Sequence, residues 1–179
     1  MITDQLVNFL PYGTNLAITS SVLTSNVYDE LGIGSGTTPA GGNVIVGQTA
    51  TGGTFGSDMD VGRVVPEIIC SVGTTFTGSG TLTIAVQGAQ DTTITGVPGS
   101  WQTFVQSPAY TIAQLVAGQF VGRFKWPVEV PDGFNPRFYR LQFTPSSTFT
   151  AGTIAWAQVT MGPPMAFNKF AARNYSVAG

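Results

Sequence analysis

Thr81-Leu82-Thr83-Ile84-Ala85-Val86-Gln87 is the stretch that decides the fold class. On an extended chain Leu82, Ile84 and Val86 share one face, while Thr81, Thr83 and Gln87 share the other. A helix would need its apolar residues at three- and four-residue steps instead. The same alternation returns in Arg137-Phe138-Tyr139-Arg140-Leu141-Gln142-Phe143, where Tyr139, Leu141 and Phe143 point one way and Arg140 and Gln142 the other. Both stretches read as strands with one buried face.

Working outward, Val64–Val72 reads as a strand with Pro66 marking an edge or a bulge. Asn43–Val46, Trp101–Gln106, Phe120–Val128 (broken at Pro127) and Thr153–Met161 are further strand candidates, and the last is expected to pair with 137–143 as a hairpin. Tyr110–Val116 fits either a strand or a short helical turn, and Gly32–Gly42 and Thr51–Gly56 have loop composition. About eight short strands separated by Gly and Pro, with no amphipathic helix, predict an all-β fold, a β-sandwich or a barrel. Residues 1–14, interrupted by Pro11 and Gly13, read as an N-terminal arm; residues 15–161 as the sandwich domain; and residues 162–179, after Pro163-Pro164, as a C-terminal tail.

Only 9% of the 179 residues are charged and none is histidine. An ordinary domain carries roughly 25% charged residues, and that charge holds its surface away from its neighbours. A chain this neutral is expected to cover much of its surface with partners, itself included. No charge occurs from Thr92 to Gly122 or from Leu141 to Asn168, so at least one strand in each span must present a neutral face. The net charge of -2 speaks against nucleic acid and against anionic membrane surfaces. No segment approaches a membrane span, and Asp4 without a preceding Lys or Arg is not a signal-peptide pattern, so intracellular synthesis is expected.

Catalysis finds little to work with. Without histidine the Ser-His-Asp arrangement is impossible, and Cys70, within Ile68–Val72, reads as a small buried hydrophobe. Asp58-Met59-Asp60-Val61-Gly62 lacks the remaining ligands of a calcium loop. The carboxylates Asp29, Glu30, Asp91, Glu129 and Asp132 read mostly as turn residues, and Glu67 as a solvent-facing edge position. Gly32-Ile33-Gly34-Ser35-Gly36 opens no helix and is followed by no phosphate-loop lysine. No enzyme activity, cofactor or metal is expected. Arg123, Lys125, Arg137 and Arg140, interleaved with Phe124, Trp126, Phe138 and Tyr139, fit alternation on half-buried strands, or a basic spot for an acidic partner.

Three stretches together resemble a known family. They are Asp60–Pro66; Gly80–Gln87 followed by Trp101-Gln102-Thr103 and Ala113–Gly118; and Arg137–Phe143 followed by Phe149-Thr150-Ala151-Gly152-Thr153-Ile154. Their order is similar to that in the jelly-roll capsid cement, or decoration, proteins of tailed bacteriophages, which also tend to end on an aromatic tail, as Asn174–Ala178 does here. The resemblance covers about residues 58–178 and rests on strand patterns. It implies an all-β, jelly-roll-like antiparallel β-sandwich with extended N- and C-terminal arms, and a structural protein on the outer capsid surface of the virion, with the major capsid protein and further copies of itself, as dimer or trimer, as partners. Phe9, Tyr12, Phe167, Phe170, Arg173 and Tyr175 are the partner-contact candidates at the two ends, against the alternative that the aromatics fold back on their own core. A second function class is a carbohydrate-binding β-sandwich module of a phage fibre or a secreted protein, with Trp101, Trp126 and Trp156 as sugar platforms.

Overall fold

A computed structural model describes residues 2–29, 67–92, 96–126 and 133–161. Its strands are β1 (Ile2–Leu10), β2 (Leu16–Ala17), β3 (Leu23–Thr24), β4 (Tyr28–Asp29), β5 (Glu67–Val72), β6 (Thr77–Gly78), β7 (Thr81–Ala89), β8 (Trp101–Gln106), β9 (Tyr110–Thr111), β10 (Phe120–Lys125), β11 (Phe138–Pro145), β12 (Phe149–Ala151) and β13 (Thr153–Met161). A single 3-10 turn, Ile112–Gln114, is the helical structure among the described residues. That resolves the ambiguous stretch after Tyr110: Thr111 donates to Gln114 Oε1 through both its backbone N–H (2.9 Å) and its hydroxyl (3.2 Å), which closes the turn locally.

One sheet runs β1-β13-β5-β10 and the other β3-β11-β7-β8, with β2, β4 and β9 as short additions and β12-β6 as a separate pair. All pairings are antiparallel. Counting only the eight strands of the two main paths, the orders are first-eighth-third-sixth and second-seventh-fourth-fifth, which is the jelly-roll arrangement of two facing sheets. Of the two all-β architectures expected from alternation, the sandwich is therefore the one present.

The core lies between the sheets. Leu82, Ile84 and Val86 of β7 and Leu141 and Phe143 of β11 are fully buried, and they meet Ile68, Cys70, Val72, Ile154, Ala157 and Val159 from the opposite sheet. Each such aliphatic or aromatic side chain contributes roughly 1.5–3 kcal/mol on leaving water. Trp126, Phe9, Tyr28 and Tyr139 close one end as an aromatic cluster, with Trp126 and Tyr139 ring centroids 4.8 Å apart.

Four expectations are corrected. Thr153–Met161 does not form a hairpin with 137–143: β11 pairs with β7, while β13 pairs with β1 and β5 in the other sheet. In this topology the chain crosses the sandwich between β11 and β13, because β13 must pack its buried face, Ile154, Ala157 and Val159, against β11 rather than beside it. Residues 2–10 of the expected N-terminal arm are strand β1, which supplies the outer partner that β13 needs. Phe9 is 1% exposed against Trp126, so it is a core residue and not a partner contact. Finally, Glu67 is not on an edge strand, because β5 lies between β13 and β10. Its carboxylate is held instead by Arg123, at 2.7 Å. The short strand at 43–46, the Gly-rich loops of 32–57, the Asp58–Gly62 turn and the tail 162–179 lie outside the described residues.

Candidate functional site

The outer face of the β1-β13-β5-β10 sheet carries an aromatic row. Phe120 and Trp156 both pair in register with Ser71, one from each side, so a small residue separates two large ones across three strands. Their ring centroids are 5.8 Å apart. Phe120 is 43% exposed, unlike Val121 beside it, which is buried. The reason is local. Gly122 takes φ +58 at the bulge between Val121 and Phe124, and its N–H donates to Tyr110 Oη at 3.0 Å. The left-handed φ favours glycine, and a Cβ there would also stand 2.9 Å from Ile84 Cδ1 and 3.1 Å from Phe124 Cε2. The kink sends Phe120 outward while Val121 and Phe124 stay in the core.

Beside the row lies a groove of about 350 Å³ lined by Tyr110, Ala113, Gln114, Val116, Gln119 and Phe120. Every one of these falls within the charge-free span from Thr92 to Gly122, and Trp156 falls within the span from Leu141 to Asn168. The two neutral spans thus converge on one corner of the sandwich. Tyr12, 84% exposed, sits in the turn after β1, next to β13. Of the partner-contact candidates read from the sequence, Tyr12 is displayed to solvent and Phe9 is in the core; Phe167, Phe170, Arg173 and Tyr175 lie outside the described residues. Phe120 escaped sequence reading because a phenylalanine in an alternating strand reads as core unless the Gly122 kink is known.

The three tryptophans do not form one platform. Trp126 is buried in the core, Trp156 flanks Ser71 on one sheet, and Trp101 lies on the other sheet beneath Arg140. The basic residues are also dispersed. Arg123 and Lys125 are on β10, with Arg123 paired to Glu67. Arg137 is buried between Asp29 and Asp91, with Nε donating to Asp29 Oδ1 and Nη2 to Asp29 Oδ2, both at 2.8 Å, and Nη1 to Asp91 Oδ2 at 2.5 Å. The hydrogen bond to Asp29 raises the Arg137 pKa above its ordinary value, against the lowering effect of burial. Asp29 and Asp91, read from the sequence as turn residues, are anchors for this guanidinium.

Among the described residues no three His, Cys, Asp or Glu side chains cluster as metal ligands, and no helix is long and apolar enough to cross a membrane. Cys70 is fully buried in the core, and burial pushes its thiol pKa far up. The thiol therefore stays neutral at any working pH. Iodoacetamide is expected to leave Cys70 unmodified in the native chain at mildly alkaline pH and to label it in denaturant, as read by intact mass; labelling at equal rates in both states would contradict its placement.

No family model matches the chain, and no curated protein is found to be significantly similar to it.

Proposed function

We propose that this chain is a structural protein of a tailed-bacteriophage particle, decorating the outer capsid surface and stabilising it by binding the major capsid protein lattice as a homo-oligomer. One observation carries the reading: the uncharged aromatic corner made by exposed Phe120, partly buried Trp156 and the adjoining groove, on a chain otherwise poor in charge. A neutral aromatic patch desolvates at little cost and meets a protein surface well. The family resemblance of the strand motifs supports the same class. Tyr12 and the tail residues Phe167, Phe170, Arg173 and Tyr175 are proposed as further contacts that reach neighbouring subunits. Affinity per copy is modest in this reading, because many copies share one lattice. No catalytic step, cofactor or metal is proposed.

The test uses purified particles stripped of this chain and rebuilt with variants. Phe120→Ser combined with Trp156→Ser is expected to lower particle binding by about tenfold or more, the scale of a lost aromatic hot spot. Phe120→Ser alone is expected to change unfolding stability by less than about 1 kcal/mol, because the side chain is already half in water. Deleting residues 165–179 is expected to leave the sandwich folded and to weaken decoration. Full decoration by both variants, or absence of the chain from purified virions by mass spectrometry, would remove the reading.

A further inference from the structure

We infer that the outer face of the β11-β7-β8 sheet holds a binding site for a carboxylate side chain of a partner protein, received by the guanidinium of Arg140. The site is separate from the aromatic corner and does not depend on the partner being a phage shell.

Arg140 stands opposite Gln87 in the β11–β7 register. Its Nε donates to Gln87 Oε1 at 2.9 Å, and its guanidinium carbon lies 4.0 Å from the centroid of the Trp101 ring. Gln87 is itself held, donating through Nε2 to Thr103 Oγ1 at 3.3 Å and to Gln142 Oε1 at 3.2 Å. Those two bonds turn its amide oxygen toward Arg140. The guanidinium is thus oriented by a ring and an amide, neither of which carries a charge.

The other described arginines differ. Arg123 has Glu67, and Arg137 has Asp29 and Asp91. Arg140 alone among them has no carboxylate, and no described residue accepts a hydrogen bond from its two Nη groups. Partial burial weakens its charged form, with no anion to restore it. A fixed guanidinium with Nε occupied and both Nη groups open presents the end-on fork that a planar carboxylate accepts with two parallel bonds. Orientation in advance spares the rotamer entropy that a free arginine would lose on binding.

The charge balance selects the occupant. One positive charge is matched by one carboxylate. A phosphate dianion would bring excess charge to a face where no described residue is a second unpaired cation, since Arg137 is already matched and Arg123 and Lys125 belong to the other sheet. A stacked sugar is disfavoured because Arg140 already covers the Trp101 ring face that would receive it. Tryptophan and arginine together are the residue types in which interface energy concentrates.

The test follows the arginine Nε–H and tryptophan indole signals of the isotope-labelled full chain by NMR. Sodium acetate, a capped tripeptide with a central glutamate, its glutamine counterpart and inorganic phosphate are added separately at ionic strength held with sodium chloride. Acetate and the glutamate peptide are expected to shift the Arg140 and Trp101 signals saturably, and the glutamine peptide is not. Arg140→Lys keeps the charge but not the fork, and is expected to weaken binding about fivefold or more. Arg140→Gln is expected to abolish it. A response to acetate no larger than to chloride, or one that survives in R140Q, overturns the site. Phosphate binding about tenfold tighter than acetate overturns the choice of carboxylate. Acetate binding without glutamate-peptide binding overturns the protein side chain as occupant.

Discussion

Arg137→Met is expected to lower the unfolding free energy by about 3–5 kcal/mol, the range for removing one partner of a buried ion pair. The side chains of Arg137, Asp29 and Asp91 are 9%, 2% and 7% exposed. Removing the guanidinium leaves two carboxylates close together and largely out of water. The three residues come from β4, from two residues past the end of β7 and from the residue before β11, so the triad ties together chain segments far apart in sequence. The Arg137 N–H also donates to Ala89 O at 2.9 Å, which anchors the same junction through the backbone. Because the folded pKa of Arg137 is raised, its contribution is complete below the ordinary arginine value and is lost only as pH rises through the folded value. The loss in the variant should therefore persist unchanged from neutral to mildly alkaline pH. Asp91→Asn is expected to cost less, because Asp29 still neutralises the guanidinium. Denaturant melts of the two variants measure this; an Arg137→Met loss below about 1 kcal/mol would mean that the triad is not structural.

Gly152→Ala is the second large effect. Gly152 has φ +146, and a Cβ there would fall 2.4 Å from the ring of Phe76. Phe76 is fully buried and packs edge-on against Phe149 at 4.9 Å between centroids. The ring cannot retreat without disturbing Phe149. Overpacking of this kind costs about 1–3 kcal/mol, and the backbone conformation adds roughly 1–2 kcal/mol for any residue with a Cβ. A melt shifted by less than about 1 kcal/mol would show that this end of the core repacks freely. The motif Phe149-Thr150-Ala151-Gly152-Thr153 thus has a physical basis: an aromatic for the core, a short strand paired with β6, and a glycine that lets the chain pass over Phe76 into β13.

Much of this was legible in the residues. The alternation in Thr81–Gln87 and Arg137–Phe143 gave the buried face correctly, since Leu82, Ile84, Val86, Tyr139, Leu141 and Phe143 are all core. Cys70 among apolar neighbours read as buried, and it is. The neutral spans read as carrying an uncharged surface, and the groove and aromatic row lie in them. The placement of Phe9, Glu67 and Phe120 was not legible. Each depends on which strand lies alongside: β13 beside β1, β10 beside β5, and a kink at Gly122 against Ile84.

The division has a physical reason. Period-two alternation is a property of one extended chain, so the sequence by itself determines which side chains face inward, and low charge by itself determines that a neutral surface exists. Which strand joins which sheet is set by long-range backbone pairing, and antiparallel hydrogen bonds look the same whatever side chains they join. The chain therefore carries no local mark that β11 and β13 belong to opposite sheets, that Arg137 meets Asp29 at a separation of 108 residues, or that Phe120 and Trp156 flank one serine. Only the tertiary structure decides these, because only the closing of the sandwich brings the neutral spans to one corner and the guanidinium to its carboxylates.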